Sequence, residues 1–307
     1  MPRWLRWAVQ GVVVAVVLAL VANALAHNWS AFRAAPVVGP LRPGWLAVSF
    51  ACLAIVSLLQ VQSWRWMIAG WDREPSFRAA ARVWFLSNLG RYVPGKVWTV
   101  AGMLVLAEQE GIPRWAAGAS AFAVQALGLG TAAAVVAAAV PEAYSPLRLI
   151  AAAALAVATI GLLVWPGGLP RLGRLLGAAA EWRALPVGTV LLSATLTAGS
   201  WLAYGAAFWT LARALGMVTL PLLAAEGVFA LGYVLGLLAI FAPGGLGVRE
   251  AIFFSLLTPF TGSGSAITLS IASRLELILA EVAAGLLVMA FARRRSVKEE
   301  LLGATRR

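Results

Sequence analysis

The chain has 307 residues, of which 62% are hydrophobic and only 12% are charged, and its formal net charge is +12. Several apolar stretches reach the ~20 residues that span a bilayer, so the composition predicts a membrane protein and excludes an ordinary soluble domain. One Cys (Cys52), one His (His27) and one Asp (Asp72) exclude an internal disulfide. They also leave too few ligands for a His/Cys zinc site or a paired-aspartate metal motif, while a glutamate-based site stays open.

The surplus of basic residues is spread over short loops and is not gathered on one soluble face. In a membrane protein such residues set the orientation of the helices and attract anionic lipid headgroups. We therefore expect membrane lipids, and not nucleic acid, as the partners. The fourteen Trp residues are interpreted as mostly interfacial for the same reason.

Taken in chain order, the first predicted span covers about residues 8–26. Its basic start and its Ala24-Leu25-Ala26 sequence also resemble a signal peptide, but the spans that follow favour an uncleaved helix. A second span near 45–68 is followed by a glycine-broken segment at about 79–106 that carries charged residues. A second broken segment lies at about 220–259, and a basic surface helix is predicted within 166–183. The remaining predicted spans are 115–140, 147–165, 187–211 and 267–291.

The two broken segments are predicted to be re-entrant hairpins, which enter and leave the membrane on the same side. With the amino terminus inside, the inside loops and ends carry fifteen basic residues and the outside loops carry four. This bias predicts that both termini are cytoplasmic.

The spacing of Gly and Pro residues after two of the predicted spans indicates a repeat. In each half a span is followed by Gly, then five residues later by Pro, and then by a hairpin bent at Pro-Gly. The two Pro residues are 19 residues apart in the first half and 22 in the second. The positions are Gly70, Pro75, Pro94 and Gly95, and then Gly216, Pro221, Pro243 and Gly244.

Because the first hairpin would enter from inside and the second from outside, the repeat would be inverted, as in many transporters. We expect an all-α polytopic membrane protein with about six transmembrane helices plus two re-entrant helical hairpins in an inverted repeat. The chain 1–307 would form one domain, with repeat one at about 45–140 and repeat two at about 187–292.

The hairpin tips carry the candidate site. Arg91, Lys96 and Arg249 lie where two helix starts offer unpaired N–H groups, so we expect an anion site within the membrane. Phosphate is the favoured ligand, because Arg binds it with two hydrogen bonds and Lys binds it as a point charge. Glu250 would lower the resting charge or take part in proton-coupled release.

Structural alternatives stay open. Arg91 and Lys96 could snorkel to the interface, and Arg249 with Glu250 could form a structural ion pair. The glycines near the second tip could serve the bend more than the ligand. Glu226 is undecided between structure and function. At the start of the last span we favour function for Arg274 and packing for Glu281, which lie seven residues apart on one helix face.

Both motifs resemble the lysylphosphatidylglycerol synthase transmembrane region, a flippase-like family. The resemblance rests on Asn88-x-x-Arg91-Tyr-Val-Pro94-Gly95-Lys96, on Pro243-Gly-Gly245-Leu-Gly247-Val-Arg249-Glu250, and on Arg274. It covers about residues 8–292 and implies lipid translocation in the bacterial cytoplasmic membrane. Because fifteen residues follow Ala292, we expect no lipid synthase activity.

The sequence thus predicts a transporter for an anionic phospholipid or a lipid-linked precursor such as a polyprenyl phosphate or glycolipid. The alternatives are an integral membrane transferase and a scaffold acting on lipid-linked sugars. No catalytic residue, metal or cofactor is expected, and no ATP-binding loop motif is present. A lipid-modifying enzyme is a candidate partner. The substrate-binding residues are predicted to be Asn88, Arg91, Lys96, Gly245, Gly247, Arg249, Glu250 and Arg274.

Overall fold

The computed structural model describes residues 40–92, 98–139, 146–177, 182–238 and 247–304, and these residues form helices with no β-strand among them. One 3-10 helix, Leu89–Tyr92, extends the second α-helix. The α-helices are α1 (Pro43–Ala69), α2 (Phe77–Asn88), α3 (Trp98–Gln109), α4 (Arg114–Ala139), α5 (Pro146–Val164), α6 (Gly168–Leu175), α7 (Val187–Ala214), α8 (Leu222–Leu238), α9 (Val248–Thr261) and α10 (Ser263–Ala304).

Three helices in the described part of the chain are long and apolar enough to cross a membrane, namely α1, α4 and α7. They confirm the helices predicted at 45–68, 115–140 and 187–211. A bend of 85° separates α5 from the short α6, and this pair counts as a fourth span if it is taken as one. The span predicted at 8–26 lies outside the described residues.

Helix α6 falls where the sequence predicts a basic surface helix, and it is only eight residues long. The Arg171 guanidinium lies over the Trp165 ring, 4.2 Å from its centroid, at the bend that precedes α6. Leu175 is 85% exposed at the end of the helix. A helix that exposes both cationic and apolar side chains in this way suits a membrane surface.

Helices α1 and α7 pack antiparallel along their whole length, and small polar residues line the contact. The Arg42 N–H donates to the Ala214 carbonyl at 2.9 Å, at one end of the pair. Further along, the Ser49 hydroxyl donates to the Ala207 carbonyl at 2.7 Å. The Ser63 hydroxyl donates to the Ser193 carbonyl at 3.2 Å near the other end. Small side chains and interhelical hydrogen bonds are what hold helices together in an apolar solvent.

The first broken segment folds back on itself. A Cβ added at Gly102 of α3 would lie 3.4 Å from the Ser87 Cα of α2, and one at Gly90 would lie 2.8 Å from the Thr99 N. The later residue of α3, Gly102, thus lies against the earlier residue Ser87, and Thr99 lies against Gly90, so the two arms are antiparallel. Each arm has 12 residues and is therefore about 18 Å long, which is shorter than a ~30 Å hydrocarbon core.

The second broken segment has the same form. The Thr219 hydroxyl donates to the Phe260 carbonyl at 2.6 Å at the open end of the α8–α9 pair. Nearer the tip, a Cβ on Gly232 would lie only 2.2 Å from the Phe253 Cε1. The arms have 17 and 14 residues, about 26 and 21 Å.

Some of the fourteen Trp residues are interior residues and not interfacial ones. Five of them are buried: Trp64, Trp71, Trp84, Trp182 and Trp201. The fully buried Trp64 donates its indole N–H to the Ser120 hydroxyl at 2.9 Å, across α1 and α4. A Trp that finds such a partner can be buried without loss of its hydrogen bond.

Candidate functional site

One cavity of about 260 Å³ lies where both broken segments meet α4, α7 and α10. Four of the residues predicted to bind substrate line it, namely Asn88, Arg91, Arg249 and Arg274. The first and the last of them, Asn88 and Arg274, are 186 residues apart in the chain, so only the fold brings them together. The rest of its polar wall is Thr99, Gln125, Tyr204, Tyr233 and Glu281.

Arg91 is positioned by the end of the first arm. The α2 helix ends at Asn88, and the 3-10 turn that follows directs Arg91 back past it, so that the Asn88 Oδ1 accepts a hydrogen bond from Nη2 at 2.8 Å. The Glu281 carboxylate on α10 accepts from Nη1 at 2.9 Å. Arg91 therefore contacts the last helix inside the cavity, with its side chain 31% exposed.

Glu250 is positioned by the start of α9. Gly247 adopts a φ of +83°, which favours glycine, and its N–H donates to the Glu250 Oε2 at 2.7 Å. The other carboxylate oxygen accepts from the Arg274 Nη1 of α10. The alternative of an Arg249–Glu250 ion pair is thus wrong, because the carboxylate turns to the last helix instead. Gly247 serves the bend and the helix start.

Arg249 lies over two neighbouring aromatic rings. Its guanidinium carbon is 5.1 Å from the Phe229 centroid and 4.9 Å from the Phe253 centroid. Among the described residues its buried Nη2 has no hydrogen-bond partner, and neither has the buried Nε of Arg274. A buried donor without a partner is costly, so an acceptor that reached either guanidinium group would be stabilising.

Six other residues that the sequence assigned to the site or to the hairpin tips lie outside the described residues. They are Lys96, Gly245, Pro94, Gly95, Pro243 and Gly244. Their placement stays a prediction.

Sequence reasoning missed part of the cavity wall. Glu281, for which packing was favoured, lines the cavity and binds Arg91. Gln125, Tyr204 and Tyr233 lie in segments that were treated as apolar. An amide within a membrane span is itself a signal, and it could have drawn attention to Gln125. A second cavity of about 90 Å³ shares Gln125 and extends to Gln60.

The electrostatics of the described wall favour an anion. Three guanidinium groups line the cavity, while Glu281 is the carboxylate in the described lining and Glu250 contacts Arg274 from the side. No group of three or more His, Cys, Asp or Glu that could hold a metal occurs in the part of the chain that was described. The arrangement can bind an oxyanion such as phosphate by charge-assisted hydrogen bonds.

Comparison with the curated proteins gave no match to this sequence. The family model described as "Lysylphosphatidylglycerol synthase TM region" matches residues 7–285. This range contains the whole cavity and both broken segments. The chain therefore belongs to the lysylphosphatidylglycerol synthase TM region family, a family of membrane proteins linked to lipid-related functions.

Proposed function

We propose that the protein is a lipid transporter and not an enzyme. It moves an anionic phospholipid, or a polyprenyl-phosphate-linked or glycolipid precursor, between the leaflets of a bacterial cytoplasmic membrane. The observation that carries this proposal is the meeting of Arg91, Arg249 and Arg274, from three separate helical elements, in one cavity.

The headgroup phosphate is the group that the cavity would bind. Its oxygens would accept hydrogen bonds from the Arg249 Nη2 and the Arg274 Nε, the buried donors that lack partners in the described residues. Glu281 and Glu250 hold the Arg91 and Arg274 side chains in place in the absence of lipid. A phosphate would have to compete with these carboxylates for the two arginines, which would weaken its binding.

The membrane arrangement we propose has about six transmembrane helices and two re-entrant hairpins in an inverted repeat, with both termini in the cytoplasm. Arms of about 18–26 Å that pack antiparallel support the hairpins, because they reach only partway through a ~30 Å core. The antiparallel packing of α1 on α7 supports the inversion. Tilting of one repeat against the other would open the cavity to each leaflet in turn, while the acyl chains stay in lipid.

The test is movement of fluorescent phosphatidylglycerol in proteoliposomes, read as the fraction that an impermeant quencher can reach. We expect movement faster than in protein-free liposomes, and loss of most of that rate in Arg249→Gln. The same assay is repeated with fluorescent polyprenyl phosphate and with the zwitterionic phosphatidylcholine. The matched control is Arg171→Gln, because that arginine lies on Trp165, away from the cavity wall.

Two results would contradict the proposal. One is movement of every anionic lipid at the protein-free rate. The other is conversion of a labelled lipid-linked sugar into a new product, which would favour the transferase alternative.

A further inference from the structure

Among the described residues outside the cavity wall, Glu226 carries a buried carboxyl oxygen without a hydrogen-bond partner, and so does Glu276. Glu226 lies in the second turn of α8 and is 7% exposed. Its Oε2 is buried, and the described residues give the side chain no hydrogen bond and no ion pair. The transport cycle proposed above does not use this residue, so its burial needs a separate physical reason.

The neighbouring helix is shaped to admit this carboxyl group. A Cβ added at Gly205 of α7 would lie 2.2 Å from the Glu226 Oε2 and 2.3 Å from its Cδ. Any side chain at position 205 would thus occupy the space of the carboxyl group. The pair Gly205–Glu226 is therefore a niche, and the glycine in the middle of a long apolar helix has a specific purpose in it.

In the described part of the chain, no charged or titratable side chain of the surrounding helices pairs with Glu226. The helices that pack on α8 are α4, α7 and α9. None of their described ionisable groups bonds to this carboxyl, nor does the one on α8 itself. The groups are Arg114 on α4, Tyr204 and Arg213 on α7, Arg249 and Glu250 on α9, and Tyr233 on α8.

A charged carboxylate in such a niche is strongly disfavoured, because an isolated ion in an apolar medium loses its hydration. A metal cation of the hard type takes about six oxygen ligands, whereas the niche wall at Gly205 offers no side-chain oxygen. A proton needs only the carboxyl group itself. We propose that Glu226 is a proton-binding site inside the membrane, and that its proton is released and regained as the cavity changes conformation.

The niche is joined to the cavity through two aromatic rings. Phe229 lies one turn along α8 from Glu226, and its ring supports the Arg249 guanidinium at 5.1 Å. Tyr204, the neighbour of Gly205, lines the cavity and stacks on Phe229 with 5.1 Å between the centroids. Release of the proton to water leaves a carboxylate, which must be hydrated, and hydration requires α7 and α8 to separate at Gly205.

That separation displaces Tyr204 and Phe229, and with them the support of Arg249. Protonated Glu226 thus favours the conformation in which the cavity is formed, and ionised Glu226 favours the conformation in which it is disrupted. By linkage, binding of the phosphate and binding of the proton assist each other. This coupling rests on the proposed function, whereas the proton site itself does not.

The proton site is tested by infrared spectroscopy of the purified full chain in lipid. We expect a carbonyl band of a protonated carboxylic acid at neutral pH that loses intensity in Glu226→Gln. The matched control is Glu74→Gln, since the Glu74 side chain is 67% exposed and is paired with Arg65. An unchanged band in Glu226→Gln overturns the proposal, whatever the protein does with lipid.

The coupling is tested by the rate of phosphatidylglycerol movement in proteoliposomes as a function of pH. We expect a rate that depends on pH in the wild type and in Glu74→Gln, and loss of that dependence in Glu226→Gln, which mimics the protonated acid. An identical pH profile in Glu226→Gln overturns the coupling. If the wild type moves no lipid, the proposed function fails and the infrared result still decides the proton site.

Discussion

Two ion pairs attach the last helix to the two broken segments, and the last helix supplies the anion in one pair and the cation in the other. On the first segment an arginine, Arg91, binds Glu281 of α10 at 2.9 Å, while on the second a glutamate, Glu250, binds Arg274 of α10. Arg274 and Glu281 are seven residues apart, so both face the cavity from one side of α10. Each pair lowers the charge that the membrane interior must hold, and Arg249 is left with aromatic faces in place of a carboxylate.

Breaking one pair from either side is expected to cost stability. Arg91→Gln or Glu281→Gln leaves a charged partner half-buried, at a cost of about 1–3 kcal/mol each. The double variant is expected to cost less than the sum of the two, because each single variant already removes the same ion pair. Unfolding in detergent, followed by Trp fluorescence, measures the three variants.

The exposed pair Arg114–Glu108 is the matched control for this cycle. Its atoms are 3.3 Å apart and its side chains are 64% and 57% exposed. Its coupling is expected to be about 0–1 kcal/mol. Equal coupling energies for the two pairs would mean that the cavity pair is solvated like a surface pair.

The sequence anticipated which arginines meet in the cavity and that Glu250 lowers their charge, but not which arginine each carboxylate pairs with. Arg91 and Arg249 were found because a charge near Pro-Gly in an apolar segment is a local signal, and Arg274 because it is a charge at the start of the last span. The choice of Arg274 over Arg249 as the partner of Glu250 depends on how α9 crosses α10. No residue spacing within either segment encodes that crossing.

At the scale of the element, glycine sets how closely the arms of each broken segment approach. A Cβ at Gly90 would lie within 2.9 Å of three backbone atoms of residues 98 and 99, and backbone cannot move aside as a flexible side chain does. At Gly232 the obstacle is the fully buried Phe253 ring. Both glycines are therefore needed for close packing of the arms, and the first is the stricter case.

Gly90→Ala is expected to destabilise the first broken segment by about 1–3 kcal/mol, because overpacking must separate α3 from the 3-10 turn. The matched control is Gly161→Ala, where an added Cβ meets nothing within 4 Å. Removal of glycine from that helix interior is expected to be neutral or to stabilise by about 0.5–1 kcal/mol. Thermal unfolding in detergent compares the two, and equal melting temperatures would contradict the close approach.

The helices themselves follow well from the sequence. The long apolar runs predicted α1, α4 and α7 to within a few residues, because a span must satisfy its backbone hydrogen bonds internally. The buried Trp64 and Trp84 were not anticipated, since an aromatic residue in an apolar run is equally compatible with an interface and with the interior. Only the contact with Ser120 distinguishes the two for Trp64.

At the scale of the whole molecule, α1 and α7 would be the equivalent helices of an inverted repeat, and they pack against each other antiparallel. In each half a glycine follows the span, and a proline follows five residues later. The loops after these two glycines must lie on opposite sides of the membrane if the spans cross it in opposite directions. This consequence distinguishes an inverted repeat from two parallel halves, and it needs no knowledge of the lipid.

Cysteine accessibility measures it directly in a Cys52→Ser background, which removes the single native thiol. Arg73→Cys and Val218→Cys place a thiol in the two equivalent loops, both of which are exposed. In spheroplasts an impermeant maleimide is expected to label the thiol at 218, and to label the one at 73 only after permeabilisation. Labelling of both on one side would exclude the inverted repeat, because α1 and α7 could not then both cross the membrane antiparallel. Labelling with the sides exchanged would keep the repeat and place the termini outside, against the bias of the basic residues.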